Sequence, residues 1–316
     1  MNFPNSYSSR LPKVGETLIG RKFANGFGGK GANQCVAAAK LGAKTALIAK
    51  EFGQSGGQHH VCRINQWPGK SFSRNWDFLK GFTLGDAFQT TGIAQITVAD
   101  SGDNQIVIVT GANDLLSSED VTKASHLFQN SKILICQLET PIEATIFALK
   151  QFKGLSILNG APAIENPHPE LLQFSDILCV NETEAWAMTK TEIKTLHDAK
   201  KAALKLNEMG AKVVIITLGE QGAVYRGSEK GLIETVHVKP TKVNKVLDTT
   251  GAGDCFIGSL AYFLAKHPEQ LLHQQIGAAN LVASISVQYP GTQSSFPTAK
   301  DVKIDFSKEQ FEWSVI

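Results

Sequence analysis

The chain has 316 residues, 42% of them hydrophobic and 19% charged, which suits one large domain or two smaller ones with a substantial core. A net charge of +2, with no basic run interleaved with aromatics, argues against a nucleic-acid or other polyanionic partner. Cys35, Cys62, Cys136, Cys179 and Cys255 lack CxxC spacing, which points to a reducing compartment and no zinc; without a membrane-length apolar run or a leader-like Met1 to Arg10, the cytosol, or the nucleus, is the expected location.

In chain order, two segments stand apart from the rest. Glu16 to Phe27 is one; Gly92 to Thr110 is the other, a hairpin turning at Asp100 to Asn104 with alternating Ile and Val. The two are expected to pair as a small β-sheet over about 15–28 and 91–112. Beside the ends of a larger sheet it would serve as a lid that excludes water.

The run Gly26-Phe27-Gly28-Gly29-Lys30-Gly31-Ala32-Asn33 matches GxGxxG, and Glu51 follows 20 residues after Gly31. A dinucleotide site needs a strand just before it, and Arg21, Lys22 and Asn25 interrupt that strand, so a nicotinamide-dependent oxidoreductase is a remote alternative. A Walker A loop fails because Ala24 and Gly31 replace its first glycine and its hydroxyl residue. Gly29 and Asn33 suit a different ligand: close backbone approach plus a side-chain amide, donor and acceptor at once, fits a polyhydroxylated molecule.

From residue 132 onward, short apolar runs alternate with helical patterns. Lys132 to Leu138, Leu155 to Asn159, Ile177 to Val180 and Val213 to Leu218 read as buried strands. Pro141 opens one helix, Glu182 to Thr189 forms a second, and Thr195 with Asp198 makes a capping box for a third that ends at Gly210. The pattern predicts a mostly parallel α/β sheet flanked by helices.

The most chemical stretch is Asp248-Thr249-Thr250-Gly251-Ala252-Gly253-Asp254-Cys255-Phe256, read as a strand giving way to a helix that runs from Gly253 to about Lys266. Phe256, Leu260, Phe263 and Leu264 recur at helical spacing. The first turn of a helix carries N–H groups without intrahelical partners and the positive end of the dipole, so it attracts an anion. Gly251 and Gly253 leave room for a phosphoryl group, while Asp254 on the same turn can orient a hydroxyl and accept its proton. A bare helix cap with glycines for packing is the structural alternative.

On the two motifs Gly28-Gly29-Lys30-Gly31-Ala32-Asn33-Gln34 and Asp248 to Asp254, the chain resembles the ribokinase-like carbohydrate kinases, closely from Leu11 to Lys50 and from Thr91 to Pro297. The resemblance implies a single ribokinase-like α/β domain over residues 1–316 and ATP-dependent phosphorylation of ribose at its 5-hydroxyl. It also implies Asp254 as general base and Gly251, Ala252 and Gly253 as anion hole. Sugar contacts would come from Gly29, Lys30, Asn33 and Glu139, and nucleotide contacts from Asn181, Thr217, Gly219, Glu220, Gly222, Gly253 and Asn280. Glu184 would organise Mg²⁺ through water, and K⁺ as activator would sit among Asp248, Thr250, Ser286, Tyr289, Gly291 and Ser295, partly on backbone oxygens. A homodimer formed through the lid sheet is implied as well. By residue type alone, Glu139 also reads as a surface acid, Asn181 with Glu184 as a helix cap, Asp248 as a strand-end cap and Asn280 as an ordinary helix residue.

Two segments depart from the family's pattern. Its members begin with a strand whose aspartate grips two sugar hydroxyls; Phe3 falls near that place, so a central strand and a bidentate sugar contact are expected to be missing. Glu51 to Gln89, with His59-His60, Trp67-Pro68 and Asn75-Trp76, shows no periodicity and fits no element, and the histidine pair alone has too few partners for a metal. The alternatives are a catalytically impaired relative that still binds nucleotide, or a kinase for another sugar or a nucleoside.

Overall fold

The computed structural model describes residues 2–53, 56–64, 77–81, 92–101, 104–229, 232–308 and 310–316. The chain opens with β1 (Asn2–Ser8) and β2 (Lys22–Phe27), which pair antiparallel. Helix α1 (Lys30–Lys40) follows Gly29, and its alanine-rich middle is buried. Next come β3 (Thr45–Gly53), β4 (Gly56–Ile64) and β5 (Asp77–Gly81), a three-stranded antiparallel sheet. The hairpin of β6 (Ile93–Ala99) and β7 (Asn104–Val109) then joins β1 through a parallel β1–β6 pairing, giving an outer sheet of order β2-β1-β6-β7.

This opening third differs from the sequence reading in three ways. Asn2–Ser8 does form a strand, but in the outer sheet and not the central one; pairing on both sides, by β2 and β6, overrides a run that contains Pro4 and two asparagines. The strand therefore sits between the two segments expected to pair directly. His59 and His60 lie on β4, opposite Lys50 and Ala49 on one side and Gly81 and Lys80 on the other. Their segment is an antiparallel sheet, while Trp67-Pro68 and Asn75-Trp76 fall outside the described residues. Finally, a strand does precede the Gly28-Gly29 turn, yet β2 and β3 belong to different sheets, so α1 is not the crossover of a dinucleotide-binding βαβ unit.

The rest of the chain builds the central sheet. After α2 (Ser118–Lys123) the order is β8 (Ile133–Cys136), α3 (Ile142–Gln151), β9 (Leu155–Asn159), α4 (Pro169–Phe174), β10 (Ile177–Asn181), α5 (Glu182–Thr189), α6 (Leu196–Glu208) and β11 (Val213–Thr217). These four strands are parallel neighbours. An antiparallel run of β12 (Ala223–Glu229), β13 (Leu232–Val238) and the late β14 (Trp313–Val315) continues the sheet from β11. Before β14 the chain passes through α7 (Ala252–Lys266) and α8 (Leu272–Ser286).

Successive residues of a strand face opposite sides, and here both sides are apolar, as a sheet covered on two faces requires. Leu158, Leu178, Val180, Val214 and Ile216 pack with residues of α3 to α6. Ile157, Ile177, Cys179 and Ile215 pack on the other side with Phe256, Ile257, Leu260 and Ile276 of α7 and α8. The result is an α/β/α sandwich. Among the described residues, no helix is long and apolar enough to cross a membrane.

Candidate active site

Helices α1 and α7 meet at the centre of the site, and a glycine sets how closely. A Cβ on Gly258 would drive into the Gln34 carbonyl and press on the Ala37 side chain, so only glycine lets the backbones touch one turn beyond Asp254. That approach puts two consecutive residues of α1 on either side of the Asp254 carboxylate. Asn33 Nδ2 donates to Oδ2 at 2.8 Å, and Gln34 Nε2 donates to Oδ1 at 2.9 Å.

Both amides are themselves held. Gln293 Nε2 donates to Asn33 Oδ1 at 2.9 Å; Gln34 Nε2 also donates to Asn159 Oδ1 at 3.0 Å, and its Oε1 accepts from Gln137 Nε2 at 2.7 Å. Asp254 is only 8% exposed. Burial pushes its carboxyl above the usual aspartate range, while the charge of Lys30 and the two amides pull it back.

The opening of α7 supplies the donors. Gly251 is the N-cap at φ 77°, a left-handed conformation, and a Cβ there would collide with the Thr292 methyl. Cys255 N–H donates to Gly251 O at 2.8 Å and Ala252 N–H to Thr249 O at 3.1 Å, whereas the N–H groups of Gly253 and Asp254 have no partner among the described residues. Around Gly253 a Cβ would meet nothing within 4 Å. The helix mouth is open, electropositive and next to a buried carboxylate. One expectation is corrected: no strand leads into this turn. Residues 239–251 are irregular, with Val246 and Leu247 exposed, so Asp248 is not a strand-end residue.

Asp248 does something else. Its Oδ1 accepts from Thr250 N–H at 2.9 Å and its Oδ2 from Gly291 N–H at 2.8 Å, which ties the turn before α7 to the loop after α8. The N–H groups of Leu247 and Asp248 both donate to Val287 O, and Tyr289 N–H donates to Ser286 O. Ser286 Oγ and Ser295 Oγ each donate to a nearby carbonyl, and the Ser286 hydroxyl also meets the Cys255 thiol. Thus Asp248, Thr250, Ser286, Tyr289, Gly291 and Ser295 lie in one pair of linked loops, with the Tyr289 side chain exposed.

The remaining candidates gather around Lys30 and along the strand ends. Gly29 caps α1, and Lys30 N–H donates to Glu139 Oε2 at 2.9 Å. The Lys30 charge acts on Asp254, Glu139 and Glu184 together, and burial is the largest cause raising all three carboxyls. Asn181 and Glu184 form a reciprocal capping box on α5, at 2.8 and 2.9 Å, so the helix-cap alternative is realised; the second carboxylate oxygen of Glu184 has no partner among the described residues. Thr217 lies beside Asn181 in the β10–β11 register. Gly219 and Glu220 form a short turn closed by Gly222, which packs against Val238, Lys239 and Pro240. Asn280 Nδ2 reaches Lys239 O at 3.5 Å, so α8 and the Gly222 turn converge on the same backbone.

Four residues escape the sequence reading. Gln34 lies inside the first glycine motif but carries no assigned role there, and Gln137, Asn159 and Gln293 give no signal, being ordinary amides up to 260 residues away from the α1 residues they touch. Burial pushes the Cys136 and Cys255 thiols up to about 12 and Cys35 to about 11, which keeps them protonated and inert.

Residues 82–299 match the family described as pfkB family carbohydrate kinase. The ribokinase of Mus musculus is 42% identical over 302 residues, covering 95% of this chain and 90% of that protein. Among solved structures, the ribokinase of Thermotoga maritima superposes with a TM-score of 0.76 at 30% identity, over 95% of this chain and 94% of that one. That of Arabidopsis thaliana, complexed with ribose and ATP, superposes with a TM-score of 0.75 at 28% identity, with the same coverage.

Proposed function

The chain belongs to the pfkB family of carbohydrate kinases, and from that premise we propose that it transfers the γ-phosphoryl group of ATP to the 5-hydroxyl of ribose. The observation that carries this reading is the Asp254 carboxylate, held by two amides beside a helix mouth whose Gly253 and Asp254 N–H groups are unpaired among the described residues. Asp254 takes the hydroxyl proton as the phosphoryl group arrives. Gly251, Ala252 and Gly253 present the mouth of α7 to the migrating charge, the kind of positioning and charge stabilisation that a loose transition state demands. Lys30, Asn33, Glu139 and the Gly29 backbone orient the sugar. Asn181, Thr217, Gly219, Glu220, Gly222 and Asn280 line the run of strand and helix ends where a nucleotide lies.

The residues present fit a divalent and a monovalent cation. Mg²⁺ holds few protein ligands and several waters, and the uncommitted oxygen of Glu184 suits contact through water; the ion would neutralise phosphate charge. K⁺ would sit on the carbonyl, hydroxyl and carboxylate oxygens of Asp248, Thr250, Ser286, Tyr289, Gly291 and Ser295, where it would hold the Gly251 turn in shape. A coupled assay across ribose, 2-deoxyribose, fructose and adenosine, with and without potassium, tests the reading. The expected result is fastest turnover of ribose, stimulated by potassium; nucleotide binding without turnover of any sugar would replace it with the impaired-relative reading.

The outer sheet serves in addition as the contact between two copies. Its register places Phe23, Phe27, Val107 and Val109 on one face, all between 48% and 65% exposed, although Ser8 and Ala99 at one end of that face are buried and Ile108 on the opposite face is 52% exposed. Four apolar side chains on one exposed face suit a self-complementary two-fold contact. Phe23→Asp is expected to convert a dimer to a monomer in light scattering. The cytosol is the compartment that suits the four described thiols, all buried and free.

A further inference from the structure

Resting on the reading of Asp254 as the base, we infer that Gln34 is its positioning residue: a fully buried amide that holds the carboxylate in place and favours its ionised form, with a polarity dictated by the backbone of the central sheet. Gln34 is 0% exposed, so it cannot touch a substrate. One of its three hydrogen bonds nonetheless goes to the reacting group, and the other two fix the amide that makes it.

The polarity follows from a chain of forced choices. Cys179 O, on β10, is a carbonyl and can only accept; it takes a hydrogen bond from Asn159 Nδ2 at 3.3 Å. That leaves Asn159 Oδ1 facing Gln34. Only the NH₂ end of Gln34 can meet an acceptor, and the same nitrogen is the one that reaches Asp254 Oδ1. Gln137 Nε2 then donates to the carbonyl end of Gln34 and locks the arrangement. A flipped Gln34 would bring its oxygen against two acceptors at once, so the donor always faces the base.

Asn33 completes the clamp on the other oxygen, but it sits at 4% exposure among the residues assigned to the sugar, and its second N–H is the one left for a substrate hydroxyl. Gln34 has no such second duty. Sealed from the site by its burial, Gln34 is the arm of the clamp that a bound sugar does not reach. The charged groups facing Asp254 are Lys30 at the start of α1, Glu139 after β8 and Glu184 on α5, with the neutral thiol of Cys255 beside it on α7; none is hydrogen-bonded to Gln34.

The test compares Gln34→Met, Gln137→Met and Asp254→Ala in the full chain. Gln34→Met keeps the bulk and removes the donor; kcat is expected to fall about tenfold to a hundredfold, as for loss of a hydrogen bond to a charged group. The acid limb of the kcat profile should rise by about one to two pH units, with KM for ATP changed less than about twofold. Gln137→Met touches nothing on Asp254 and should move the limb in the same direction by less, which keeps the inference testable if the first variant melts. A folded Gln34→Met whose acid limb stays put, or two variants that lose activity only in proportion to their loss of melting temperature, would overturn the inference. If Asp254→Ala itself retained turnover, the reading of the base would fall instead, and the two failures are distinct.

Discussion

Asp248 and Asp254 lie six residues apart on one turn, each accepts two hydrogen bonds, and the two are built differently. Asp248 takes both of its bonds from backbone N–H groups, those of Thr250 and Gly291, and remains partly exposed. Asp254 takes both from side-chain amides on a crossing helix and is nearly sealed. Backbone donors fix the path of the chain, so Asp248 shapes the loop. Side-chain donors fix only the carboxylate and leave the backbone N–H groups of its own turn free for an anion. The contrast separates a residue that builds the turn from one whose carboxylate is left available for chemistry.

Removing the working residue should have the largest effect. Asp254→Ala is expected to lower kcat by about a thousandfold, the scale of a lost general base, with KM for ATP nearly unchanged. Its effect on stability has a sign set by pH. Burial raises the folded-state pKa of Asp254 above its unfolded value, so its contribution to stability is full below the unfolded pKa and is lost as pH rises through the folded one. The melting temperature of Asp254→Ala relative to wild type should therefore be more favourable at pH 7 than at pH 4. For the same reason the wild-type rate should fall on acidification at a pH above the usual aspartate value of about 3.9. A midpoint at or below that value would mean that the buried carboxylate is not the titrating base.

Separating the two helices comes next. Gly258→Ala forces a methyl into the Gln34 carbonyl, and overpacking of this kind typically costs about 1–3 kcal/mol. Because the clamp on Asp254 depends on that approach, the variant should lose turnover as well as melting temperature. If it melts early but turns over normally, the clamp does not need the close helix crossing.

Asp248→Ala should be milder. It strands two N–H groups in a partly wet loop, a loss of about 1–2 kcal/mol, and should lower kcat through the shape of the Gly251 turn while leaving the pH profile where it was. A shifted acid limb in this variant would erase the division of labour between the two aspartates.

The same contrast marks what the sequence could reveal. Loop-building and helix-capping residues act on near neighbours, so Leu155 to Asn159, Glu182 to Thr189 and the Thr195 capping box are legible from spacing alone. Asn33 and Asp254 stand out through their glycine-rich motifs. Gln34 meets Asn159 and Asp254 across 125 and 220 residues, Gln293 meets Asn33 across 260, and an amide carries no mark of the partner it will find. Strand β1 was hidden for a related reason: its residues have poor intrinsic β preference, and the pairing by β2 and β6 that holds it is tertiary. The strand expected to lead into the Gly251 turn is, in contrast, an exposed irregular stretch in which Leu247 and Asp248 bond to Val287 rather than to a neighbouring strand.

The smallest effect is expected far from both aspartates, at the start of α2. Ser117 caps this helix by accepting from Asp120 N–H, and the Asp120 carboxylate returns the bond to Ser117 N–H. Ser117→Ala should cost about 1 kcal/mol of stability, the usual value of an N-cap, and leave kcat, KM and the pH profile unchanged. Because Asp120 also pairs with Lys50 of β3, the change reports how firmly the three-stranded sheet is fastened to the central one. A kinetic effect from this position would mean that the β3–β5 sheet is coupled to the site through α2, and that stability and catalysis are not divided between regions as the two aspartates divide them.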